Sequence, residues 1–176
     1  AVKAALGGPL AFGAFSGLQQ FEGIAFVWRL ATYPIAALVI PVIWALRGRR
    51  PGYPYLADVL LTLPFLVDTV GNALDLYDTI EWWDDANHLV NWALLAGAMG
   101  AICRPRAGSW TILAFVVGFG AVTAILWEIS EYYAFIRNSP ELATAYVDTL
   151  GDLFLGLTGS FLAGLAFAFA PRRRRV

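Results

Sequence analysis

Charge, cysteine and histidine are scarce in this sequence. Only 14% of its 176 residues are charged, against about 25% in soluble domains, which excludes an ordinary water-soluble fold. Cys103 and His88 are the single cysteine and the single histidine, so an internal disulfide and a zinc finger are excluded. The formal net charge of −1 shows no general excess of positive charge, and we expect no nucleic-acid partner.

Apolar residues dominate instead, with 59% of the chain hydrophobic and 15% aromatic. Runs of about 20 such residues cross a hydrocarbon core near 30 Å thick. The runs predict an all-α integral membrane bundle of about five transmembrane helices, at residues 21–46, 55–75, 87–103, 110–136 and 146–170. We take residues 21–170 as one transmembrane domain. The third run is the shortest and extends back to Asp84 in an alternative interpretation.

The two ends of the chain differ from this domain. Residues 1–20 are apolar but contain four glycines and a proline, which interrupt regular helices. We expect an interfacial or partly re-entrant lead-in there, with a sixth span as the alternative. Residues 171–176 form a short basic tail that we expect to be cytoplasmic.

Positive charge is concentrated in alternate connections between the predicted spans. Cytoplasmic loops retain Lys and Arg, so these connections are predicted to face the cytoplasm. An odd number of spans then places the N-terminus outside and the C-terminus inside. The basic residues concerned are Arg47, Arg49, Arg50, Arg104, Arg106 and Arg172 to Arg175.

Acidic residues gather toward the opposite side. All of them except Asp58 fall in the predicted outer half or in the outer loops. Orientation depends on Lys and Arg and only weakly on carboxylates, so topology alone does not require this asymmetry. A charge within the membrane costs about 3 kcal/mol on insertion scales. We therefore expect the acids below the interface to share partners or a wet cavity.

Helical spacing brings the acids of three spans together. Residues three or four apart share a helix face, and each pair lies at the same predicted depth. The pairs are Asp84 with His88, Glu128 with Glu131, and Asp148 with Asp152. Below Asp152 the same face continues with Gly156, Ser160 and Gly164, small residues that allow a neighbouring helix to approach closely.

This donor set favours a divalent cation. Carboxylates with a single imidazole suit Mg²⁺, Mn²⁺ or Ca²⁺ better than zinc, and the Glu-x-x-His pairs of di-iron bundles are absent from the sequence. Nucleophile-elbow, Walker and His-Glu-x-x-His motifs are absent too. We predict metal ligation by His88, Glu128, Asp148 and Asp152. We predict acid and base roles for His88, Glu131 and Asp84.

Arg29 and Asp68 occupy similar depths in the first two predicted spans. One interpretation is a buried ion pair that tethers the two spans. The other is a substrate-binding pair in which Arg29 holds a phosphate or carboxylate. With the cation, the second interpretation predicts a protein that binds or acts on an anionic amphiphile, a membrane lipid or lipid-linked small molecule, as a metal-dependent hydrolase or transferase.

Three other interpretations remain open. The acids and His88 are also compatible with a proton-sharing hydrogen-bonded network that fixes helix packing. Intramembrane acids are typical of cation or proton transporters, although the inner half carries Asp58 as its sole acid. The third alternative is a membrane scaffold subunit. The oligomeric state is left open.

Three blocks in the second half of the chain resemble a known group of proteins. They are WWDDANHLVNWALL (82–95), LWEISEYYAF (126–135) and YVDTLGDLFLGLTGSFLAG (146–164). In this order they resemble the VanZ-like and YjdF-type small bacterial membrane proteins, and the YjdF-type branch is the closer fit. The resemblance implies a multi-pass protein of the bacterial inner membrane with a role in the cell envelope. It implies that Asp84 or Asp85, His88, Glu128, Asp148 and Asp152 are family positions.

Overall fold

A computed structural model describes residues 2–22, 25–49, 51–105 and 107–171. Within these ranges the chain is helical without strands, and five helices are long and apolar enough to cross a membrane, which confirms the predicted fold class. The five are α2 (Phe26–Leu46), α3 (Tyr55–Ala73), α5 (Trp83–Cys103), α6 (Ser109–Ala134) and α7 (Ala145–Phe169). The shorter elements are α1 (Val2–Phe15), α4 (Leu76–Thr79) and 3₁₀ turns at Gln19–Phe21, Ile136–Asn138 and Pro140–Ala143.

Backbone conformation sets several helix ends. Ala25 adopts a left-handed conformation with φ of 55°, so α2 begins at Phe26 rather than at residue 21. Asp75 also lies in the left-handed region, with φ of 57°, and separates α3 from α4. The helix α5 begins at Trp83. Asp84 therefore lies in its first turn, which confirms the longer alternative for the third span.

The amino-terminal segment runs along α3. The 14 residues of α1 extend about 20 Å at 1.5 Å per residue and pack against α2 and α3. Lys3 forms an ion pair with Asp58 in the first turn of α3. At the other end of α3, the Gln20 side-chain amide donates to the carbonyl oxygen of Ala73 at 3.0 Å. Residues 3–20 thus follow the length of α3. Both interpretations of this segment, the interfacial or re-entrant lead-in and the sixth span, stay predictions.

The two ends of the bundle carry different charges. Arg104, which follows α5, donates to the carbonyl oxygens of Ala170 and Pro171 at 2.7 and 2.8 Å, so α5 and α7 finish together. Gly97 near the end of α5 lies beside Leu60 near the start of α3. We call this end, which carries Arg47, Arg49 and Arg104, the basic end of the bundle. We call the opposite end the acidic end.

Lys3 therefore lies at the same end of the bundle as the end of α7. The five long helices are the candidate spans, and the expectation that the chain begins outside and ends inside stays a prediction. Which end faces the cytoplasm stays a prediction. Arg50, Arg106 and Arg172 to Arg175, part of the basis for that prediction, lie outside the described residues.

The helices form two halves, α1–α3 and α5–α7, which meet where α3 packs against α5. Glycine permits a close approach of two backbones in the second half: a Cβ added at Gly159 would overlap the backbone carbonyl of Leu89. The predicted small-residue stripe is confirmed, since Gly156, Ser160 and Gly164 are all buried in α7. This packing holds α7 against α5 and turns Asp152 toward His88.

Candidate functional site

A cavity of about 630 Å³ lies between the two halves toward the acidic end. The part of its wall nearer the acidic end is polar, and we call it the upper wall. The part nearer the basic end, the lower wall, is apolar and includes Leu61, Phe65 and Phe119. All the residues predicted as catalytic, substrate-binding or metal-ligating groups line it: Arg29, Asp68, Asp84, His88, Glu128, Glu131, Asp148 and Asp152. The residues singled out by helical spacing and depth therefore meet at one cavity. The roles of these residues remain predictions.

One side of the His88 imidazole faces two carboxylates. The Nε2 atom lies 3.7 Å from Asp84 Oδ1, one turn earlier in α5, and 3.5 Å from Asp152 Oδ1 in α7. His88 and Asp152 are buried, with 9% and 5% of their surfaces exposed. The Asp84 side chain is 45% exposed. Asp84 therefore connects the buried pair with the mouth of the cavity.

The other side of the ring faces α6. His88 Nδ1 lies 3.9 Å from Glu128 Oε1, and it is buried without a hydrogen-bond partner among the described residues. Glu131, one turn further along α6, offers an oxygen that groups with His88 and Glu128 within 4.8 Å. The imidazole thus lies between two carboxylate pairs without a direct hydrogen bond to them. We call His88, Asp84, Asp152, Glu128 and Glu131 the histidine cluster.

The spacing in the histidine cluster fits a coordinated cation. Neighbouring ligands of an ion bound at about 2.0–2.6 Å are about 2.8–3.7 Å apart in octahedral geometry. Asp84, His88 and Asp152 offer ligand atoms that all lie within 4.8 Å of one another, and their His88 distances lie at the upper end of that range. Asp148 is exposed and belongs to neither group of potential ligands among the described residues.

A second cluster, centred on Asp68 in α3, has short contacts. One Arg29 nitrogen, Nη1, lies 2.9 and 2.7 Å from the two carboxylate oxygens, so the predicted Arg29–Asp68 pair forms. The Tyr33 hydroxyl donates to Oδ2 at 2.7 Å and the Tyr77 hydroxyl to Oδ1 at 3.0 Å. Asn72 Nδ2 lies 3.3 Å from Oδ1. We call these five residues the aspartate cluster, and it joins α2, α3 and α4.

Sequence reasoning missed both tyrosines of the aspartate cluster. Tyr33 follows Arg29 by four positions in α2, a spacing that could have placed it on the same face. Tyr77 lies beyond the break at Asp75, and no local pattern predicts its position. Burial, followed by the nearby Asp68 carboxylate, raises the pKa of Tyr77 well above its ordinary value. Its hydroxyl therefore stays protonated and acts as a donor at neutral pH.

The fold and the cavity define a class: a polytopic helical membrane protein with carboxylates and one imidazole buried between its two halves. The chain belongs to DUF2238, a family of predicted membrane proteins whose family model matches residues 3–173. Comparison with curated proteins and with solved structures finds no match. The family confirms a membrane protein, while the VanZ-like and YjdF-type resemblance stays a prediction.

Proposed function

We propose that this protein binds a divalent cation at Asp84, His88 and Asp152 and, through that ion, the anionic headgroup of a membrane amphiphile. The membrane would be the inner membrane of a bacterium, and the amphiphile a lipid or a lipid-linked envelope precursor. Mg²⁺, Mn²⁺ and Ca²⁺ suit the two carboxylates and the open cavity better than Zn²⁺.

The unpartnered imidazole carries the proposal. Buried polar atoms nearly always have hydrogen-bond partners, and an unsatisfied one costs about 1–3 kcal/mol. His88 Nδ1 has no such partner among the described residues, and Nε2 faces two carboxylate oxygens at 3.5 and 3.7 Å. A proton-sharing network would favour direct contacts like those around Asp68. A cation between Nε2 and the two aspartates explains the wider spacing.

Glu128 then has a different role from the predicted one. A histidine that binds a metal through one nitrogen usually donates its other N–H to a carboxylate, which fixes the ring. Glu128 is the carboxylate nearest to Nδ1, with 7% of its surface exposed. At 3.9 Å the two atoms do not form a hydrogen bond in this structure, and we assign Glu128 as the residue that would accept the Nδ1–H and orient His88 once the ion is bound. The proposed ligands are Asp84, His88 and Asp152, with the remaining coordination positions open to water or headgroup oxygens.

Glu131 is the candidate base. It groups with His88 and Glu128 and lines the same cavity as Arg29, where it could accept a proton from a water or hydroxyl polarised by the cation. This arrangement supports metal-dependent hydrolysis or group transfer.

The apolar lower wall, with Leu61, Phe65 and Phe119, offers no carboxylate toward the basic end among the described residues. It favours binding of an amphiphile over passage of an ion.

Manganese binding tests the proposal directly. Metal-free protein in phosphatidylcholine nanodiscs would be titrated with Mn²⁺ and followed by electron paramagnetic resonance. We expect one tight site with ¹⁴N coupling from His88, competed by Mg²⁺ or Ca²⁺. His88→Gln should abolish the coupling. Glu128→Gln should retain it while weakening binding about 10–100-fold, as loss of an orienting carboxylate does.

Control variants distinguish the proposed metal site from the exposed acidic residues around it. Asp85→Asn removes an exposed acid beside Asp84 in α5 and should leave binding unchanged. Equal Mn²⁺ affinity in His88→Gln and the unmodified protein would refute the metal site. Replacing part of the phosphatidylcholine with phosphatidic acid should add ³¹P coupling to the bound ion beyond any that phosphatidylcholine alone gives. Its absence would refute headgroup binding through the cation.

A further inference from the structure

A second cavity, of about 410 Å³, lies between α2 and α6. It shares Arg29, Tyr33, Trp127, Ser130, Glu131 and Phe135 with the central cavity. The two spaces therefore meet along a common wall that contains one cation, Arg29, and one carboxylate, Glu131. We call the second space the lateral gap.

The lateral gap exists because α2 and α6 are not packed together. Helix α2 packs on α1 and α3, and α6 packs on α5 and α7. The two helices approach each other at Tyr33 and Trp127, whose ring centroids are 6.4 Å apart. Helix α2 runs from the acidic end and α6 toward it, so Arg29 and Glu131 lie on the acidic side of this ring contact. The gap is thus closed below by the rings and lies in the membrane half nearer the acidic end.

The rim of the gap is aromatic, and an arginine, Arg137, lies against one of its rings. Trp28 and Tyr133 line it and are 69% and 59% exposed, as suits side chains at a membrane interface. The Arg137 guanidinium lies 5.4 Å from the Tyr133 ring centroid, within the range of a cation–π contact. An anionic headgroup would meet Arg137 outside the gap and Arg29 inside it.

We infer that the lateral gap is the route by which a phosphate-bearing lipid reaches the central cavity, with its acyl chains left in the bilayer. This inference rests on the proposed function and specifies its substrate as a membrane-resident molecule. A water-soluble anion would have to approach through the acidic rim, where Asp78, Asp84 and Asp148 line the mouth of the cavity and repel it. A lipid between α2 and α6 meets arginine first.

The test uses a phosphatidic acid with a photoactivatable diazirine in its acyl chain, in phosphatidylcholine nanodiscs. We expect adducts to concentrate on residues 25–33 and 127–135. Thr32 is exposed, lines the gap and does not line the central cavity. Thr32→Trp should therefore reduce these adducts at least fivefold without changing Mn²⁺ binding.

A matched control comes from α7. Like Thr32, Thr158 donates its hydroxyl to the carbonyl four residues earlier at 2.8 Å, and it lines neither cavity. Thr158→Trp should leave the adduct yield unchanged. Arg137→Gln should lower the yield for phosphatidic acid but not for phosphatidylcholine carrying the same diazirine.

The outcomes distinguish the two proposals. Adducts spread evenly over the lipid-facing helices, or an equal yield in Thr32→Trp and Thr158→Trp, would overturn the lateral route even if Mn²⁺ binds. Adducts confined to the gap in a protein that binds no Mn²⁺ would support the route and refute the metal site.

Discussion

The aspartate cluster and the histidine cluster line the same cavity but differ in how their polar atoms are satisfied. Around Asp68, four side chains approach the carboxylate at 2.7–3.3 Å. Around His88, three carboxylates lie at 3.5–3.9 Å and Nδ1 has no hydrogen-bond partner among the described residues. The first cluster is complete within the protein, whereas the second has space for another group.

This difference indicates that the two clusters have different roles, although both consist of buried charged and polar residues. Buried charges are stable when paired and hydrogen-bonded, and Asp68 meets both conditions while joining α2, α3 and α4. The His88 ring has no such direct contact with its three neighbouring carboxylates among the described residues, so a ligand offers a better explanation for its arrangement than helix tethering does. We therefore regard the aspartate cluster as the structural support of the cavity and the histidine cluster as its binding site.

Removal of Asp68 should have the largest effect. Asp68→Ala leaves Arg29 charged, with 12% of its side chain exposed, and removes the acceptor for two tyrosines. Breaking a buried pair in this way costs about 3–5 kcal/mol, so we expect strong loss of thermal stability in detergent. Asp85→Ala, at an exposed acid, is the control. Stability of Asp68→Ala close to that of the control would contradict a structural role for the cluster.

Removal of Asp152 should have the opposite effect, with little change in stability and a large loss of Mn²⁺ affinity. Asp152→Asn deletes a proposed ligand but no observed hydrogen bond within the described residues, so metal-free stability should change by no more than about 1 kcal/mol. Affinity for Mn²⁺ should fall about 100-fold or more. Isothermal titration measures the affinity, with Asp148→Asn, one turn earlier in α7, as the matched control. Equal losses in the two variants would favour a diffuse acidic surface over a defined site.

A change in the packing between α5 and α7 should have a smaller effect, again on the histidine cluster and not on the aspartate cluster. Gly159→Ala places a methyl against the Leu89 carbonyl next to His88, and overpacking typically costs about 1–3 kcal/mol. We expect weaker Mn²⁺ binding with the aspartate cluster intact. Gly151→Ala, also in α7 but with no atom within 4 Å of the added methyl, should be neutral or slightly stabilising. Unchanged Mn²⁺ affinity in Gly159→Ala would show that helix spacing does not set the site.

The smallest expected effect is that of replacing Glu141, an exposed acidic residue at the acidic end. Partial burial, then Asp148 and Asp78, raise the pKa of Glu141 above its ordinary value. The folded protein therefore binds this proton more tightly than the unfolded chain, and stability falls as pH rises from the unfolded pKa through the folded one. Glu141→Gln should increase the melting temperature slightly at pH 7 and not at pH 4. An equal change at both values would contradict this linkage.

Sequence patterns predicted the candidate site better than the path of the chain. Spacing within helices was enough to place Asp84 beside His88, and the small-residue stripe was enough to turn Asp152 inward. The path of residues 3–20 along α3 depends on tertiary contacts of Lys3 and Gln20 that leave no periodic pattern. Tyr77 reaches Asp68 across a left-handed break at Asp75, and the lateral gap depends on which helices fail to pack. Local periodicity contains none of this information.

One measurement compares the two clusters directly: the melting temperature of the unmodified protein, Asp68→Asn and Asp152→Asn, each with and without saturating Mn²⁺. A ligand stabilises the folded protein that binds it. We predict that Asp68→Asn starts lower but is stabilised by Mn²⁺ as much as the unmodified protein, whereas Asp152→Asn starts near normal and gains nothing. Equal stabilisation of Asp152→Asn, or no stabilisation of any of the three, would contradict the account.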